Sequence, residues 1–390
     1  MLAAQRQERL LQLVRAQGSV VVSEVARLLE VSELTVRRDV NTLAERGLVT
    51  RVHGGATLPD PQSPFAPHPG RPARRSGADS RFTVGMVVPS LNYYWPSILA
   101  GARAAAAESS VRLLLRSSSY DLRDDRNQIG MLLDTPGLDG LVLAPDVDDP
   151  GAEELLGWLD RLPLPVVLAE RRAPASMLLG SLEWVGSDHV LGARLGVEHL
   201  HAEGHRRIGL LVAGGSPTSP HLRRGWEEQL RRHGLDPDEQ LTGVSDGFVD
   251  PGRAHRMDAV LDEARRRGTT ALLVHPDPAA VSLVQHCTDA GTRVPDDLAV
   301  VAYDDEVASL GEPAVTAVRP PKQHVGRLAV ELMTARLTEG GRRPPHRISI
   351  GPELVVRGSS VLPGDGASEA AAEPATQTRR GGTEPSGHRR

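Results

Sequence analysis

Arginine, asparagine and threonine side chains gather on one face of a predicted helix near the N-terminus. Residues 31–55 read VSELTVRRDVNTLAERGLVTRVHGG, and Val36, Val40 and Leu43 recur with the spacing of one buried stripe of an amphipathic helix. The opposite face suits a DNA major groove, because arginine and asparagine match the edges of guanine and adenine. We therefore predict DNA contacts from the start of this helix, from its polar face and from the flank of that face, at Ser32, Thr35, Arg37, Arg38, Asn41 and Thr42.

A shorter apolar-periodic segment precedes this helix. Ser23 stands at its start, and Ala26 and Leu29 lie on one of its faces. Residues 23–45 therefore predict helix, turn and helix, an arrangement that lays its second helix in the major groove.

The segment after the second helix predicts a β-hairpin. Residues 48–52 alternate like a strand, a Gly-Gly turn follows, and a second short strand lies near residues 56–58. Such a hairpin forms a wing. It places Arg51 and His53 near its tip, where they can contact phosphate or the minor groove.

This module resembles the winged helix-turn-helix of the deoxyribose-operon repressor (DeoR) family. The pattern V-S-x-x-T-V-R-R-D-x-x-x-L and the hairpin ending in H-G-G-A carry the resemblance, which covers residues 5–58. It implies double-stranded operator DNA as a partner. The open alternative is that Arg37 and Arg38 only solvate the helix face, with Asp39 paired to one of them.

Length and composition are those of a soluble globular chain with several domains. Its 390 residues are 39% hydrophobic and 24% charged, and no run of 18 or more apolar residues occurs. We therefore expect a cytoplasmic protein that has no membrane partner. The single cysteine, Cys287, excludes an internal disulfide and a cysteine-based zinc site.

Charge is distributed unevenly along the chain. The net charge is −5, yet residues 1–58 hold eight arginines against six acidic residues, a local charge of +2. Because salt screens distant charges, a small module with clustered arginines can bind DNA despite an acidic neighbouring domain.

From Arg81 onward, apolar strands alternate with helices. The predicted strands are 84–88, 111–115, 140–143, 165–168, 207–212, 271–274 and 298–302, and the predicted helices are 96–108, 123–133, 190–201, 222–233 and one that ends at 290. This order indicates parallel sheets covered on both faces. The span of roughly 280 residues is long enough for two such lobes.

Three stretches of this region resemble the lactose and galactose repressor (LacI/GalR) family. They are V-G-M-V-V-P with N-Y-Y-W at 84–95, V-G-S-D-H with H-L-x-x-x-G-H-R-R-I at 185–208, and L-A-V-V-A-Y-D-D with V-T-x-V and G-x-x-A-V-x-L at 298–332. The resemblance covers residues 81 to about 357. It implies the type I periplasmic-binding-protein fold, in which two Rossmann-like lobes close on a small ligand, and it implies a homodimer.

The candidate effector-binding residues lie at strand ends and in an aromatic loop. Open parallel sheets bind ligands at the carboxyl ends of their strands. Asp304 and Glu170 each follow a strand, and by resemblance Asp304 accepts hydrogen bonds from ligand hydroxyls. Tyr93, Tyr94 and Trp95 suit stacking on a sugar face, with packing between the lobes as the alternative.

Two positions depart from the LacI/GalR pattern. That family has an arginine three residues before a glycine, where it clamps the ligand; here the position is Leu222, and Arg223 or Arg224 can replace it only if the loop shifts. Pro276 stands where a polar side chain is common, which leaves Asp277 as a ligand contact or a helix cap. These departures leave the class of ligand open.

Metal binding and catalysis have little support in the sequence. His201 and His205 are four residues apart, but Gly204 breaks the helix between them. No G-x-S-x-G elbow, Walker loop or G-x-G-x-x-G after a strand is present. We expect no metal, no cofactor and no enzymatic activity. The alternative is a sugar-processing enzyme, or a sensor of a non-sugar ligand, that carries a DNA-binding module.

The sequence thus predicts an α/β protein with an N-terminal winged helix-turn-helix and a bilobed type I periplasmic-binding-protein-like domain. The predicted domains are the DNA-binding module at 1–58, a proline-rich linker at 59–80, the effector-binding and dimerisation domain at 81–362, and a disordered tail at 363–390. The predicted function is a transcriptional regulator, most simply a repressor, that binds operator DNA as a homodimer under the control of a small carbohydrate-like effector.

Overall fold

The chain forms two compact units, Met1–Ser76 and Gly77–Arg390. The computed structural model describes residues 9–10, 13–14, 19–29, 31, 35–36, 39–40, 43, 49–52, 55–57, 80–119, 121–147, 149–174, 176–246, 248–250 and 252–361. The predicted linker and tail lie outside these residues, apart from Ser80. Within the described part of the chain, no helix has both the length and the apolar character needed to cross a bilayer.

The first unit contains a small antiparallel sheet beside helical segments. Its strands are β1 (Ser19–Val21), β2 (Thr50–Val52) and β3 (Gly55–Thr57), in the order β1-β3-β2. Strands β2 and β3 are the predicted wing hairpin. Strand β1, which leads into helix α1 (Val22–Leu28), was not predicted and adds a third strand to the wing.

The apolar stripe predicted for the second helix is confirmed. Val36, Val40 and Leu43 are 1%, 3% and 2% exposed, and they belong to one core cluster with Val25. Asp39, which the sequence placed on the flank of the polar face, is also buried.

The second unit is built on two six-stranded sheets, each covered by helices, as predicted. The first lobe has a parallel sheet in the order β14-β8-β7-β6-β4-β5. Its strands are β4 (Phe82–Val88), β5 (Val111–Ser117), β6 (Gly140–Leu143), β7 (Val166–Ala169), β8 (Glu183–Ser187) and β14 (Arg347–Ile350), and its helices are α2 (Trp95–Glu108), α3 (Leu122–Leu133), α4 (Ala152–Asp160) and α9 (Lys322–Glu339).

The second lobe has a sheet in the order β10-β9-β11-β12-β13-β15, parallel except for β15. Its strands are β9 (Ile208–Val212), β10 (Thr242–Val244), β11 (Ala271–Val274), β12 (Ala299–Tyr303), β13 (Thr316–Arg319) and β15 (Glu353–Val355), and its helices are α5 (His189–Ala202), α6 (Ser219–Arg232), α7 (Ala254–Arg267) and α8 (Asp277–Asp289).

The chain crosses between the lobes three times within residues 80–361. The crossings follow β8, β13 and β14, after which α5, α9 and β15 pack in the opposite lobe. The two lobes are therefore joined by a three-segment hinge, and the carboxyl ends of β7 and β12 lie near it. A cleft at these strand ends is where an open parallel sheet places its ligand.

Candidate functional site

Several residues at the strand ends have left-handed backbone. Among non-glycine residues described with positive φ, Tyr93 (57°), Glu170 (58°), Asp304 (101°) and Asp305 (53°) lie at or near the ends of β4, β7 and β12, and Ser110 is the exception outside this region. Such conformations cost on the order of 1–3 kcal/mol each and persist only where the surroundings impose them. Strain concentrated in this way is typical of a functional site.

The hydroxyl of Tyr93 joins two buried aspartates. This oxygen lies within hydrogen-bonding distance of Asp277 Oδ1 and 3.0 Å from Asp304 Oδ2. The aspartates are 0% and 2% exposed and belong to the second lobe, whereas Tyr93 follows β4 of the first lobe. Three of the predicted effector-binding residues therefore meet across the cleft.

Asp277 holds a loop as well as the tyrosine. Its Oδ2 accepts hydrogen bonds from the backbone N–H groups of Val307 at 2.6 Å and Ala308 at 2.9 Å. Asp277 is the first residue of α8, and the hydrogen bonds of its side chain join Tyr93, Val307 and Ala308 rather than the N–H groups of that helix. Burial raises the pKa of Asp277 above its ordinary value, although the hydrogen bonds from Tyr93 and Val307 act in the opposite direction.

Asp304 has basic neighbours. Its Oδ2 lies 3.5 Å from Nε2 of His275, and Nζ of Lys322 donates to its backbone carbonyl. Burial alone would raise the pKa of Asp304, but the nearby imidazole of His275, followed by the charge of Lys322, holds it below its usual value. Asp304 is therefore an ionised hydrogen-bond acceptor inside the cleft.

Glu170 forms a second acidic centre on the first lobe. Its carboxylate accepts hydrogen bonds from Ser187 N at 3.0 Å, Ser187 Oγ at 2.7 Å and the Tyr94 hydroxyl at 3.1 Å. Nε2 of His189, on the second lobe, lies 3.5 Å from Oε2. Burial would raise the pKa of Glu170, but His189 and the Ser187 donors lower it further than burial raises it.

The remaining predicted effector residues lie apart from these carboxylates. Trp95 is 1% exposed in the core of the first lobe, with the guanidinium of Arg171 5.5 Å from its ring centre, so its ring packs rather than stacks on a ligand. Arg223 is exposed and, with Asp149 and Pro217 among others, lines another cavity of about 550 Å³. It does not contact Asp304 or Glu170 in place of the family arginine.

Histidines occupy the region from which the family arginine is missing. Leu222, at the position of that arginine, is fully buried in a core cluster. The neighbouring His221 stacks near His189, with ring centres 6.3 Å apart, and both line a narrow cavity with Glu170 and Ser187. Burial lowers the pKa of His221 to about 4, which makes its ring neutral at pH 7.

Sequence reasoning did not identify the basic partners of these carboxylates. Two of them could have been identified, because His189 stands in the V-G-S-D-H motif and Lys322 is the single lysine of the chain. For His275, the sequence offers no indication of a role beyond its position after strand β11.

The DNA-contact predictions fall mostly outside the described residues. Ser32, Arg37, Arg38, Asn41, Thr42 and His53 are among these undescribed positions. Thr35 is helical and partly exposed, and the backbone of Arg51 lies in β2. In the part of the chain that the structure describes, no group of three or more histidine, cysteine, aspartate or glutamate side chains is arranged to hold a metal ion.

The low pKa of Glu170 predicts how pH affects stability. A carboxyl group whose folded pKa is depressed stabilises the fold above its unfolded pKa, about 4.3 for glutamate, and this contribution is lost as the pH falls through the folded value. We expect wild type to be more stable than Glu170→Gln at pH 6–7, with the difference shrinking as the pH falls below about 4.

Chemical denaturation followed by tryptophan fluorescence checks this, because all four tryptophans lie in the second unit. The raised pKa of Asp277 affects stability in the opposite sense. Because wild type and Glu170→Gln both contain Asp277, its contribution cancels in the difference between them. A difference that stays constant from pH 3 to 7 would contradict the assignment of Glu170 as an ionised acceptor.

Two family models match the chain. A DeoR-like helix-turn-helix domain matches residues 6–62, and a periplasmic binding protein-like domain matches residues 197–360. These matches confirm the predicted fusion of a DNA-binding module with a periplasmic-binding-protein-like domain. Together with the two largely parallel sheets, they confirm the predicted fold class.

Regulators of transcription are similar over most of the chain. The HTH-type transcriptional regulator CelR of Thermobifida fusca is 30% identical over 333 residues, which are 80% of this chain and 94% of that protein. The arabinose metabolism transcriptional repressor of Geobacillus stearothermophilus is 26% identical over 344 residues, 86% of this chain and 90% of that protein.

A solved structure agrees with these relatives. The transcriptional regulator CelR in complex with cellobiose superposes with a TM-score of 0.61 at 25% identity, and the match covers 86% of this chain and 94% of that one. The similar proteins named here are regulators rather than enzymes. The similarity to the regulator from Thermobifida fusca, together with the two matching domain models, shows that the chain belongs to a family of HTH-type, DNA-binding transcriptional regulators.

Proposed function

We propose that this regulator is a homodimeric repressor whose operator binding responds to a small polyhydroxy effector, such as a sugar, bound between its lobes. One observation carries the proposal. Glu170, Asp277 and Asp304 are buried acidic side chains from both lobes, and hydroxyl groups already serve as their donors. A buried carboxylate needs such donors, because an unsatisfied charged acceptor costs more free energy than a neutral one.

Sugar hydroxyls are donors of the same kind. The names of two similar proteins point to the same class of compound, since one regulator was solved with cellobiose and another is a repressor of arabinose metabolism. The protein recognises the effector without converting it. Chromatography of sugar recovered after incubation checks that point.

On the DNA side, the proposed module is residues 1–58, joined through a linker at 59–80 to the sensor at 81–362. A single winged module offers a small interface, so useful affinity at physiological salt requires two modules on a symmetric site. Light scattering that reported a monomer both free and bound to operator would contradict the homodimer.

A thermal-shift screen of the full-length protein against mono- and disaccharides, including arabinose and cellobiose, tests the sensor. A sugar at 100 times its dissociation constant adds about 2.7 kcal/mol to the free energy of unfolding. We expect at least one sugar to raise the melting temperature of wild type and not of Asp304→Ala. If every sugar leaves the melting temperature of wild type unchanged, the assignment of a carbohydrate effector is contradicted.

For the DNA module, we expect Arg38→Ala to lose discrimination between the operator and unrelated DNA while the module stays folded. One bidentate contact to a base contributes about 1–3 kcal/mol of discrimination. Mobility-shift titrations with a duplex selected from a random library provide the measurement. The matched variant Arg51→Ala should instead weaken binding to all sequences and flatten the salt dependence. Operator preference retained in a folded Arg38→Ala protein would refute the role of Arg38.

A further inference from the structure

The oxygens of Asp277 and Asp304 that meet in the cleft share one donor. Oδ2 of Asp277 is occupied by the backbone N–H groups of Val307 and Ala308, so only Oδ1 faces Tyr93. Oδ2 of Asp304 lies 3.0 Å from the same tyrosine oxygen.

A phenol hydroxyl carries a single hydrogen, so it donates to only one of these carboxylates at a time. When Tyr93 donates to Asp277, Nε2 of His275, at 3.5 Å, is the remaining donor that the described residues place near Oδ2 of Asp304. That separation is too long for a good hydrogen bond. While Tyr93 bridges them, the two carboxylates therefore share one hydroxyl hydrogen.

The Tyr93 side chain is also positioned so that it can move away from the two aspartates. The residue is 36% exposed, and its φ of 57° is a left-handed conformation that tyrosine rarely adopts. Tyr94 differs, because its ring packs against the core of the first lobe and lies 5.2 Å from Nζ of Lys322, while its hydroxyl binds Glu170. Displacing Tyr93 would thus disturb little packing.

We propose that the Tyr93 hydroxyl and the effector compete for Asp277 and Asp304, and that the effector is a vicinal diol that displaces the phenol. Two hydroxyls on adjacent carbon atoms carry two hydrogens, so each aspartate receives its own donor. A lone alcohol would replace the tyrosine without any gain, and the site therefore selects diols. This inference rests on the proposed function, and it changes the role of Tyr93 from a stacking platform to a competitor.

Calorimetric titration with cellobiose and arabinose tests the competition. The key variant is Tyr93→Phe, which keeps the ring and removes the hydroxyl. We expect it to bind the responding sugar about tenfold more tightly than wild type, the scale of one hydrogen bond to a charged group. The control Thr338→Val, which removes an exposed hydroxyl on α9 outside the cleft, must not show this gain. Tyr93→Gly, which suits the left-handed backbone, must show the same direction of change.

The possible results distinguish a failure of the competition by Tyr93 from a failure of the proposed response to sugars. If wild type binds a sugar and Tyr93→Phe binds it equally or more weakly, the tyrosine does not compete and this inference is overturned, while the proposed function stands. If neither wild type nor any variant binds either sugar, the proposed response to these sugars fails and the inference fails with it.

Deoxy analogues of the responding sugar test the diol itself. We expect one pair of adjacent positions at which removal of either hydroxyl weakens binding about tenfold or more. If no such adjacent pair exists, the vicinal-diol requirement is wrong.

Discussion

Asp304→Ala will abolish the response to sugar and leave operator binding at its wild-type strength. The substitution removes an ionised, buried acceptor at the end of β12, so the ligand hydroxyls lose their partner inside the cleft. A hydrogen bond to a charged group contributes about 1.5–3 kcal/mol, which corresponds to a loss of sugar affinity of at least roughly tenfold. The DNA-binding module belongs to a different compact unit and should keep its fold.

Parallel measurements of sugar and operator affinity distinguish the outcomes for this variant. Asp262→Ala, which alters an exposed aspartate on α7, is the matched control and should behave as wild type. Asp304→Asn is a second variant, because asparagine tolerates the left-handed backbone at this position. Unchanged sugar affinity in Asp304→Ala would show that the effector is held elsewhere, and loss of both activities would show that Asp304 is structural.

Gly101→Ala will destabilise the sensor unit strongly. Helices α2 and α9 cross in backbone contact: a Cβ at Gly101 would lie 1.8 Å from the carbonyl oxygen of Gln323, and one at Gly326 would lie 1.9 Å from that of Ile98. Because these neighbours are backbone atoms, relief requires the helices to move apart. We expect a loss of about 1–3 kcal/mol or more in the free energy of unfolding, as for other overpacked sites.

Gly130→Ala provides the matched control for this effect. Gly130 lies within α3, and a Cβ there meets no atom within 4 Å. Alanine is favoured over glycine in a helix by about 0.5–1 kcal/mol, so this variant should be as stable as wild type or more stable. Denaturation followed by tryptophan fluorescence gives both values. Equal stabilities for Gly101→Ala and Gly130→Ala would contradict the close helix crossing.

The elements that the sequence predicted carry strong local patterns. Strands such as β6 and β11 are short apolar runs buried on both faces, and the stripe of Val36, Val40 and Leu43 has helical spacing. Strand β10 escaped prediction because it lies at a sheet edge and both its first and last residues are exposed, which leaves no periodic signal. Helices α4 and α7 were missed although both are amphipathic, with buried apolar residues on one face.

The site was predicted only in part, because the sequence indicates local positions but not contacts between distant segments. A residue that directly follows a buried strand points into the cleft, and this rule identified Glu170 and Asp304. Contacts between distant segments have no local signature: Tyr93 and Asp277 are 184 positions apart, and His275, which contacts Asp304, follows a different strand, β11.

The aromatic loop shows the same limit at short range. Tyr93, Tyr94 and Trp95 are adjacent, yet helix α2 begins at Trp95 and turns that ring into the core. The hydroxyls of Tyr93 and Tyr94 instead reach different carboxylates, Asp277 and Glu170. Stacking potential alone could not assign these three roles.

The most direct test of a sugar-controlled regulator is operator affinity measured with and without effector. A labelled duplex selected from a random library is titrated with wild-type protein at fixed salt, in the absence and in the presence of the sugar found in the thermal-shift screen. Coupling between two sites typically changes affinity by about 5- to 150-fold. We predict a change of at least about fivefold in the operator Kd of wild type and none in that of Asp304→Ala. An operator Kd that is the same with and without a sugar shown to bind the protein would contradict the account.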